Sequence, residues 1–328
     1  MIITRTPLRI SFGGGGTDLP SYYREFGGFV ISAAINKYVY ITINKSFLPG
    51  YFLKYSEMEH AQTCEEVRHP LFREALMRHE APRPLEIASI ADVPAGTGLG
   101  SSGAFLVGLV HALYAYERKR VTAEMLAQEA VDIEMNRLKE PVGKQDQYIA
   151  AYGGLLCQEY RSDDSVSVTV LRVSETALKE LRDSLMLFFV GQTRSASVLL
   201  DDQRKRSEQR EKAILEGLHF VKQLGQEIRC VLEAGAVHEF GPLMHEHWLR
   251  KRGRSCGMTN DRVDGLYEVA RTRGGATGGK LVGAGGNGFL LLHTQDRKRL
   301  RTAMADAGAS EMEFNFDFDG SVVMMRNP

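Results

Sequence analysis

The chain contains 33 glycines in 328 residues, and many of them gather in three places: Gly13–Gly16, Gly96–Gly103 and Gly274–Gly288. Glycine lets a backbone take left-handed angles or come close to a ligand, so such runs constrain a fold more than any other local feature. The middle run, Pro94-Ala-Gly-Thr-Gly-Leu-Gly-Ser-Ser-Gly-Ala104, directly precedes an apolar stretch, 104–118, that reads as a helix. A glycine loop opening on a helix start offers unpaired N–H groups and the positive end of the helix dipole. An oligophosphate suits Pro94, Gly96, Gly98, Leu99, Gly100 and Gly103, with Ser101 and Ser102 able to give hydroxyls to phosphate or Mg²⁺. The same residues also serve as a plain helix cap after a flexible loop.

The other two runs are less specific. Gly283–Gly288 fits the spacing G-x-G-x-x-G, but it leads into the apolar run Phe289–His293 rather than opening a helix, so it is not a dinucleotide fingerprint. Gly274–Lys280 has the glycine and lysine spacing of a P-loop, yet Leu281 stands where Ser or Thr must be. The first run, Gly13-Gly-Gly-Gly-Thr-Asp18, ends in a carboxylate beside exposed N–H groups. That arrangement suits a hydroxyl-rich ligand, and equally a turn in which Asp18 caps a helix. Glu134 and Asp146 follow the phosphate-type loop at distances that allow metal and proton-transfer roles, although an Asp or Glu taken alone is more often a solvated surface acid. His245 and His247 are two apart and do not share a helix face, so a surface helix explains them better than a metal.

Alternation at Leu8, Ile10 and Phe12, at Val39, Ile41 and Ile43, and at Val166, Val168 and Val170 marks strands. A helix over 122–138 starts at the N-cap Thr122. Beyond an apolar strand at 185–190, helices are expected over roughly 196–234, 236–252 and 261–273, with a closing hairpin over 311–325 that turns at Asp319-Gly320. This mixture without a strict strand–helix rhythm predicts an α+β chain of two domains, 1–185 and 186–328. Lys and Arg number 41 against 41 Asp and Glu, which gives no global case for nucleic acid or an anionic membrane as partner. The four cysteines form no C-x-x-C pair, the first twelve residues lack a signal-peptide core, and the longest uncharged run is broken by Pro94 and five glycines. A cytoplasmic protein with reduced thiols is expected. Its oligomeric state is not legible.

Taken together, the three runs resemble the motifs of the GHMP small-molecule kinases, in the same order and across nearly the whole chain. Pro94–Ala104 is similar to that family's phosphate loop, with Gly103 inserted. Pro7–Asp18 resembles the first motif, and Lys280–Gly288 the third, with Asn287 where glycine is common. The resemblance implies a two-domain kinase fold with the active site in the interdomain cleft, ATP and Mg²⁺ as cofactors, and a sugar-phosphate substrate. Carried over by position, Ser102 and Glu134 become Mg²⁺ ligands, Asp146 the catalytic aspartate, Arg9 the arginine near the transferred phosphate, and Asp18 the acceptor of a sugar hydroxyl. Gly14, Gly15, Gly16, Thr17, Gly285 and Gly286 fall on the substrate side.

Galactokinases of the family carry Glu-His where this chain has Gly15-Gly16, which implies room for a longer sugar. Within the family, the strings Arg5–Pro20, Gly143–Gln147 and Thr193–Ser197 are most similar to those of the heptose 7-phosphate kinases. The implied reaction is 1-phosphorylation of such a sugar phosphate. The alternatives are a 1-kinase of an unphosphorylated sugar and a non-catalytic sensor on the same fold. For the distal phosphate the first candidate is Arg194 with Thr193 and Ser195, at a helix start, and the second is Lys144.

Overall fold

The computed structural model describes residues 1–191, 201, 204–207, 209, 211–252, 258–283, 285–286 and 288–326. Its first half is built on β1 (Ile2–Gly13) and β2 (Gly28–Lys45), two long antiparallel strands joined through helix α1 (Pro20–Phe26). The alternation at Leu8, Ile10 and Phe12 puts all three in the core, wholly buried. Arg9 and Ser11 therefore face the other way, and it is this face that lines the functional cleft.

The strands β3 (Tyr51–Lys54) and β4 (Met58–Ala61) form a hairpin, followed by α2 (Pro70–Arg78) and β5 (Leu85–Ala91). Next come α3 (Ser101–Tyr116) and α4 (Ala123–Val131), which begins at Thr122 as expected: the threonine Oγ1 accepts from the Met125 N–H at 3.2 Å. The helix then widens into a π turn over Asp132–Arg137. After α5 (Gln145–Tyr152) come β6 (Leu155–Tyr160), β7 (Val166–Val170) and α6 (Glu175–Ser184). The first half of β2 pairs with β6 and its second half with β5, so one strand serves two parts of the sheet.

The second half contains β8 (Leu185–Gly191), α7 (Lys212–Glu233), α8 (Val237–Arg252), α9 (Asp261–Thr272), β9 (Ala276–Leu281), β10 (Gly288–Thr294), α10 (Arg297–Asp306) and β11 (Ser310–Glu311). Its sheet has the order β11-β8-β10-β9. One apolar core runs through both halves: Phe12 of β1 meets Phe240 of α8 edge to face at 5.1 Å between centroids. A second core, around Trp248, Tyr267, Leu290 and Leu292, fills the space between the second sheet and α8 and α9. Among the described residues no helix is long and apolar enough to cross a membrane, and Cys64, Cys157 and Cys230 are free thiols.

The expected hairpin over 311–325 does not form. β11 joins the second sheet, whereas the final strand β12 (Val322–Arg326) returns to the first sheet and pairs with β1. The turn signal at Asp319-Gly320 is real, but it serves a crossing: the Asp317 carboxylate accepts from the backbone N–H groups of Asp319 at 3.1 Å and Gly320 at 2.9 Å. Ser321 then anchors the return through Thr6 (2.8 Å) and His111 (3.0 Å). A chain truncated after Gly320 should lose about 2–4 kcal/mol from the two Ser321 hydrogen bonds and the β1–β12 ladder, seen in thermal denaturation as a fall of roughly 4–8 °C in Tm. An unchanged Tm would show that β12 contributes nothing to the first sheet.

Candidate active site

A cleft of about 580 Å³ lies between β1 and the glycine loop on one side and α8 and β9 on the other. That is the size of a small-molecule site. The loop 96–100 turns through left-handed glycines at Gly96, Gly98 and Gly100 and delivers the chain to the start of α3. Gly96, Gly98, Gly100, Ser101, Ser102 and Gly103 all line the cleft. The buried Oγ of Ser101 has no hydrogen-bond partner among the described residues, which suits a donor waiting for an anionic ligand. Leu99 is wholly buried and Pro94 is exposed; neither lines the cleft, so these two of the expected nucleotide contacts shape the loop instead.

Arg9 is locked to this loop and to Asp146. Its Nε donates to Asp146 Oδ1 at 2.7 Å and its Nη2 to Oδ2 at 2.9 Å, while Nη1 bonds the Gly98 carbonyl. This two-point pairing fixes the carboxylate in plane and in distance. Gly103 explains itself here: a Cβ at that position would stand 2.8 Å from the Asp146 Cβ, so the inserted glycine lets α5 pack onto the start of α3.

Glu134 sits in the π turn after α4, where the Leu138 N–H reaches back to the Ile133 carbonyl, five residues away. Such turns are frequent at functional sites. Its carboxylate accepts from Ser102 Oγ and, at 2.6 Å, from Gln147 Nε2. Burial pushes the Glu134 carboxyl above its ordinary value; the two hydrogen bonds pull it down, and the charge of Asp146 pushes it up again. One carboxylate and one hydroxyl beside a glycine-lined anion cradle fit Mg²⁺, which takes few protein oxygens and completes its shell with phosphate and water. No group of three or more His, Cys, Asp or Glu able to hold a metal by itself occurs among the described residues.

Asp18 is buried, lines the cleft, and accepts from the backbone N–H groups of Gly16 (3.0 Å) and Gln145 (3.2 Å). Burial and then the neighbouring Asp146 charge raise its carboxyl, against those hydrogen bonds. Gly15 and Gly16 line the cleft with it. Thr17 and Gly14 do not: Thr17 Oγ1 bonds the carbonyls of Gly14 (2.8 Å) and Phe29 (2.9 Å), and Gly14 is pressed onto Phe29, so both build the turn. Gly285 and Gly286 pack on Met258 instead of lining the cleft.

Lys144 is also turned away. Its Nζ donates to the Asp164 carbonyl at 2.7 Å and lies over the Tyr23 ring at 4.7 Å, so it holds the start of α5 from behind and does not face a substrate. Arg194, Thr193 and Ser195 lie outside the described residues. The expectation of a surface helix around His245 and His247 is corrected by α8: His247 is buried and lines the cleft, with Lys251 one turn on. His245 instead bonds the Tyr267 hydroxyl at 2.8 Å. Gln147, Lys251 and Lys280 are cleft residues that the sequence reading gave no role. The i,i+4 spacing of His247 and Lys251 was the available signal.

Comparison with known proteins gives the family of the chain. The family described as GHMP kinases N terminal domain matches residues 66–154, and GHMP kinases C terminal matches residues 230–310, together just over half of the chain. The chain belongs to the GHMP kinases and is a phosphotransferase. It is 28% identical over 310 residues to the D-glycero-alpha-D-manno-heptose 7-phosphate kinase of Campylobacter jejuni, covering 91% of each chain. It is 27% identical over 321 residues to the bifunctional fucokinase/GDP-fucose pyrophosphorylase of Arabidopsis thaliana, covering 90% of this chain and 30% of that one. A crystal structure of a D-glycero-D-manno-heptose 1-phosphate kinase from Bacteroides thetaiotaomicron shares the fold, with a TM-score of 0.82 at 23% identity over 100% of both chains.

The raised carboxyl of Glu134 yields a stability prediction with a definite sign. Because the folded state holds this proton more tightly than the unfolded chain, its ionisation makes the ligand-free protein less stable as pH rises upward from the ordinary value of 4.5. Glu134→Gln keeps both hydrogen-bond partners and removes the charge. The variant should show a higher ligand-free Tm near pH 7, a flatter Tm–pH curve above pH 4.5, and loss of the extra stabilisation that Mg-nucleotide gives. A lower Tm at pH 7 would contradict the electrostatic account.

Proposed function

We propose that this chain transfers the γ-phosphoryl group of ATP to the anomeric hydroxyl of D-glycero-D-manno-heptose 7-phosphate, giving the 1,7-bisphosphate. The observation that carries the kinase chemistry is the bidentate Arg9–Asp146 pair set against the glycine loop. The choice of sugar is supported by the Campylobacter jejuni relative, similar over 91% of both chains, and by the space left at Gly15 and Gly16.

The apolar recess formed by Val39, Leu71, Val93 and Phe105 takes the nucleoside, and the loop N–H groups with Ser101 take the phosphates. Ser102 and Glu134 would hold Mg²⁺, which when bound offsets phosphate charge. Asp18 accepts a sugar hydroxyl and orients the ring. Asp146 receives or orients the O1 proton, and Arg9 keeps that carboxylate aimed while its guanidinium offsets charge building on the transferred group. In a loose transition state little proton transfer is needed early, so placement of the hydroxyl matters as much as basicity. A second reading, a 1-kinase for an unphosphorylated sugar, is favoured by the similarity to the bifunctional fucokinase/GDP-fucose pyrophosphorylase of Arabidopsis thaliana.

ADP release measured with Mg-ATP against free sugars, hexose 6-phosphates and heptose 7-phosphate tests the assignment. Turnover confined to the heptose phosphate is expected; preference for a free sugar would replace this reading with the second. Asp146→Asn should lower turnover by roughly 10²–10⁴-fold while nucleotide binding, followed by calorimetry, persists. Full activity of that variant would remove Asp146 from the mechanism.

A further inference from the structure

Gln147 follows Asp146 in the first turn of α5, and no step proposed above uses it. It is 1% exposed and lines the cleft. Burying an amide side chain is costly unless its donors and its acceptor find partners. Here the match is partial. The Nε2 group donates to Glu134 Oε2 at 2.6 Å, whereas Oε1 is buried and accepts from no donor among the described residues. An ionised carboxylate only accepts, so the nitrogen must face Glu134 and the carbonyl oxygen must face away from it. Native interiors seldom leave such an oxygen unpaired, and in a cleft it calls for a donor brought by the ligand.

Both carboxylate oxygens of Glu134 are engaged, but by partners of different kinds. Ser102 Oγ bonds Oε1, and Gln147 bonds Oε2. The serine hydrogen can rotate away, which leaves Oε1 and the hydroxyl oxygen open to a cation. The Gln147 N–H is fixed to a planar amide on a packed side chain and stays on Oε2. A cation beside Ser102 therefore meets Glu134 through one oxygen. Mg²⁺ accepts this arrangement, because it takes few carboxylate oxygens, adds phosphate oxygens and keeps several waters in a near-octahedral shell. Ca²⁺ takes more oxygens, often both of one carboxylate. Retained waters are O–H donors, and the unpaired Gln147 Oε1 is an acceptor for one of them.

Resting on the reading of Ser102 and Glu134 as cation ligands, we infer that Gln147 is a positioning residue that makes the site prefer Mg²⁺ to Ca²⁺. Its N–H confines Glu134 to one-oxygen binding, and its carbonyl holds a metal-bound water. It acts through Glu134 and that water and not on the reacting atoms. The packing keeps it in register with Ser102: a Cβ on Gly103 would stand 3.2 Å from the Gln147 backbone nitrogen, so α5 is pressed onto the turn of α3 that carries the serine. Asp146, one residue earlier, is tied to Arg9, so neighbouring residues of α5 serve the acceptor and the cation separately.

Calorimetry tests this without turnover, by comparing the affinities for MgATP, CaATP and metal-free ATP in the wild-type chain, Gln147→Met and Gln147→Asn. Methionine keeps the length and loses both amide atoms; asparagine keeps the amide but draws it back by one methylene, and either variant suffices. The wild-type chain should bind MgATP more tightly than CaATP. In the variants the affinity for MgATP should fall by about 10–100-fold, while those for CaATP and metal-free ATP hold. Equal loss for all three would show a packing role and overturn the inference, as would an unchanged preference or a wild-type chain that does not distinguish the two cations. A wild-type chain that binds metal-free ATP as tightly as MgATP would instead overturn the Ser102–Glu134 reading on which the inference rests.

Discussion

The site depends on how closely its backbones approach one another. The phosphate loop is pinched between β1, where the Arg9 N–H donates to the Leu99 carbonyl at 2.9 Å, and the chain leaving β9, where a Cβ on Gly98 would stand 2.5 Å from the Val282 carbonyl. Only glycine on both sides of the joint, Gly98 and Gly283, permits that approach. The joint fixes the loop to both halves. Because Arg9 bonds the loop through its backbone N–H and its guanidinium, Asp146 is positioned by the same contacts. Loop, arginine and acid form one unit, and a shift of the second half against the first would disturb all three.

A second constraint is electrostatic. Asp18 and Glu134 are both nearly solvent-free, both carry raised carboxyl pKa values, and the charge of Asp146 adds to the cause in each case. Two buried acids beside a third charge are costly to keep ionised without a ligand. Such crowding has a use when the ligand brings hydroxyl donors to one acid and a divalent cation to another. The site gives up stability in the empty state and regains it on binding, a common trade at functional sites. Lys144 sits behind α5, bonded to the Asp164 carbonyl, next to the turn that presents the Gln145 N–H to Asp18.

The parts of the site that were legible in the sequence are the parts encoded locally. The loop 94–104, the strand face bearing Arg9, and the cap at Thr122 each follow from neighbouring residues, and the α+β class follows from their succession. What was not legible depends on contacts distant in sequence. Lys144 lies two residues from Asp146 and yet points elsewhere, because Tyr23 and Asp164 claim it. The strong turn at Asp319-Gly320 suggested a hairpin, but a turn signal sets local angles and does not choose the sheet to which the next strand belongs. The spacing of His245 and His247, two apart and on different helix faces, suggested a surface helix for α8. Its polar residues His247 and Lys251 instead face a cleft, and only the packing of β9 beneath them distinguishes an inward polar face from an outward one.

That inversion bears on how the two halves share the chemistry. The first half supplies the glycine loop, the Ser102–Glu134 pair and the Arg9–Asp146 pair, which on the proposed reading hold the nucleotide and aim the acceptor hydroxyl. The second half contributes little to that list beyond the Gly283 joint and Lys251. Its other cleft side chains are His247, Met258 and Lys280, and Lys280 reaches across to Ser11 and the Phe12 carbonyl of β1. At Gly15 a Cβ would meet only Ser11 Oγ, at 3.9 Å, so the position adds room to the cleft. A lengthened acceptor space is useful for selectivity only if something at its far end distinguishes a long charged acceptor from a short neutral one, since empty volume alone admits both.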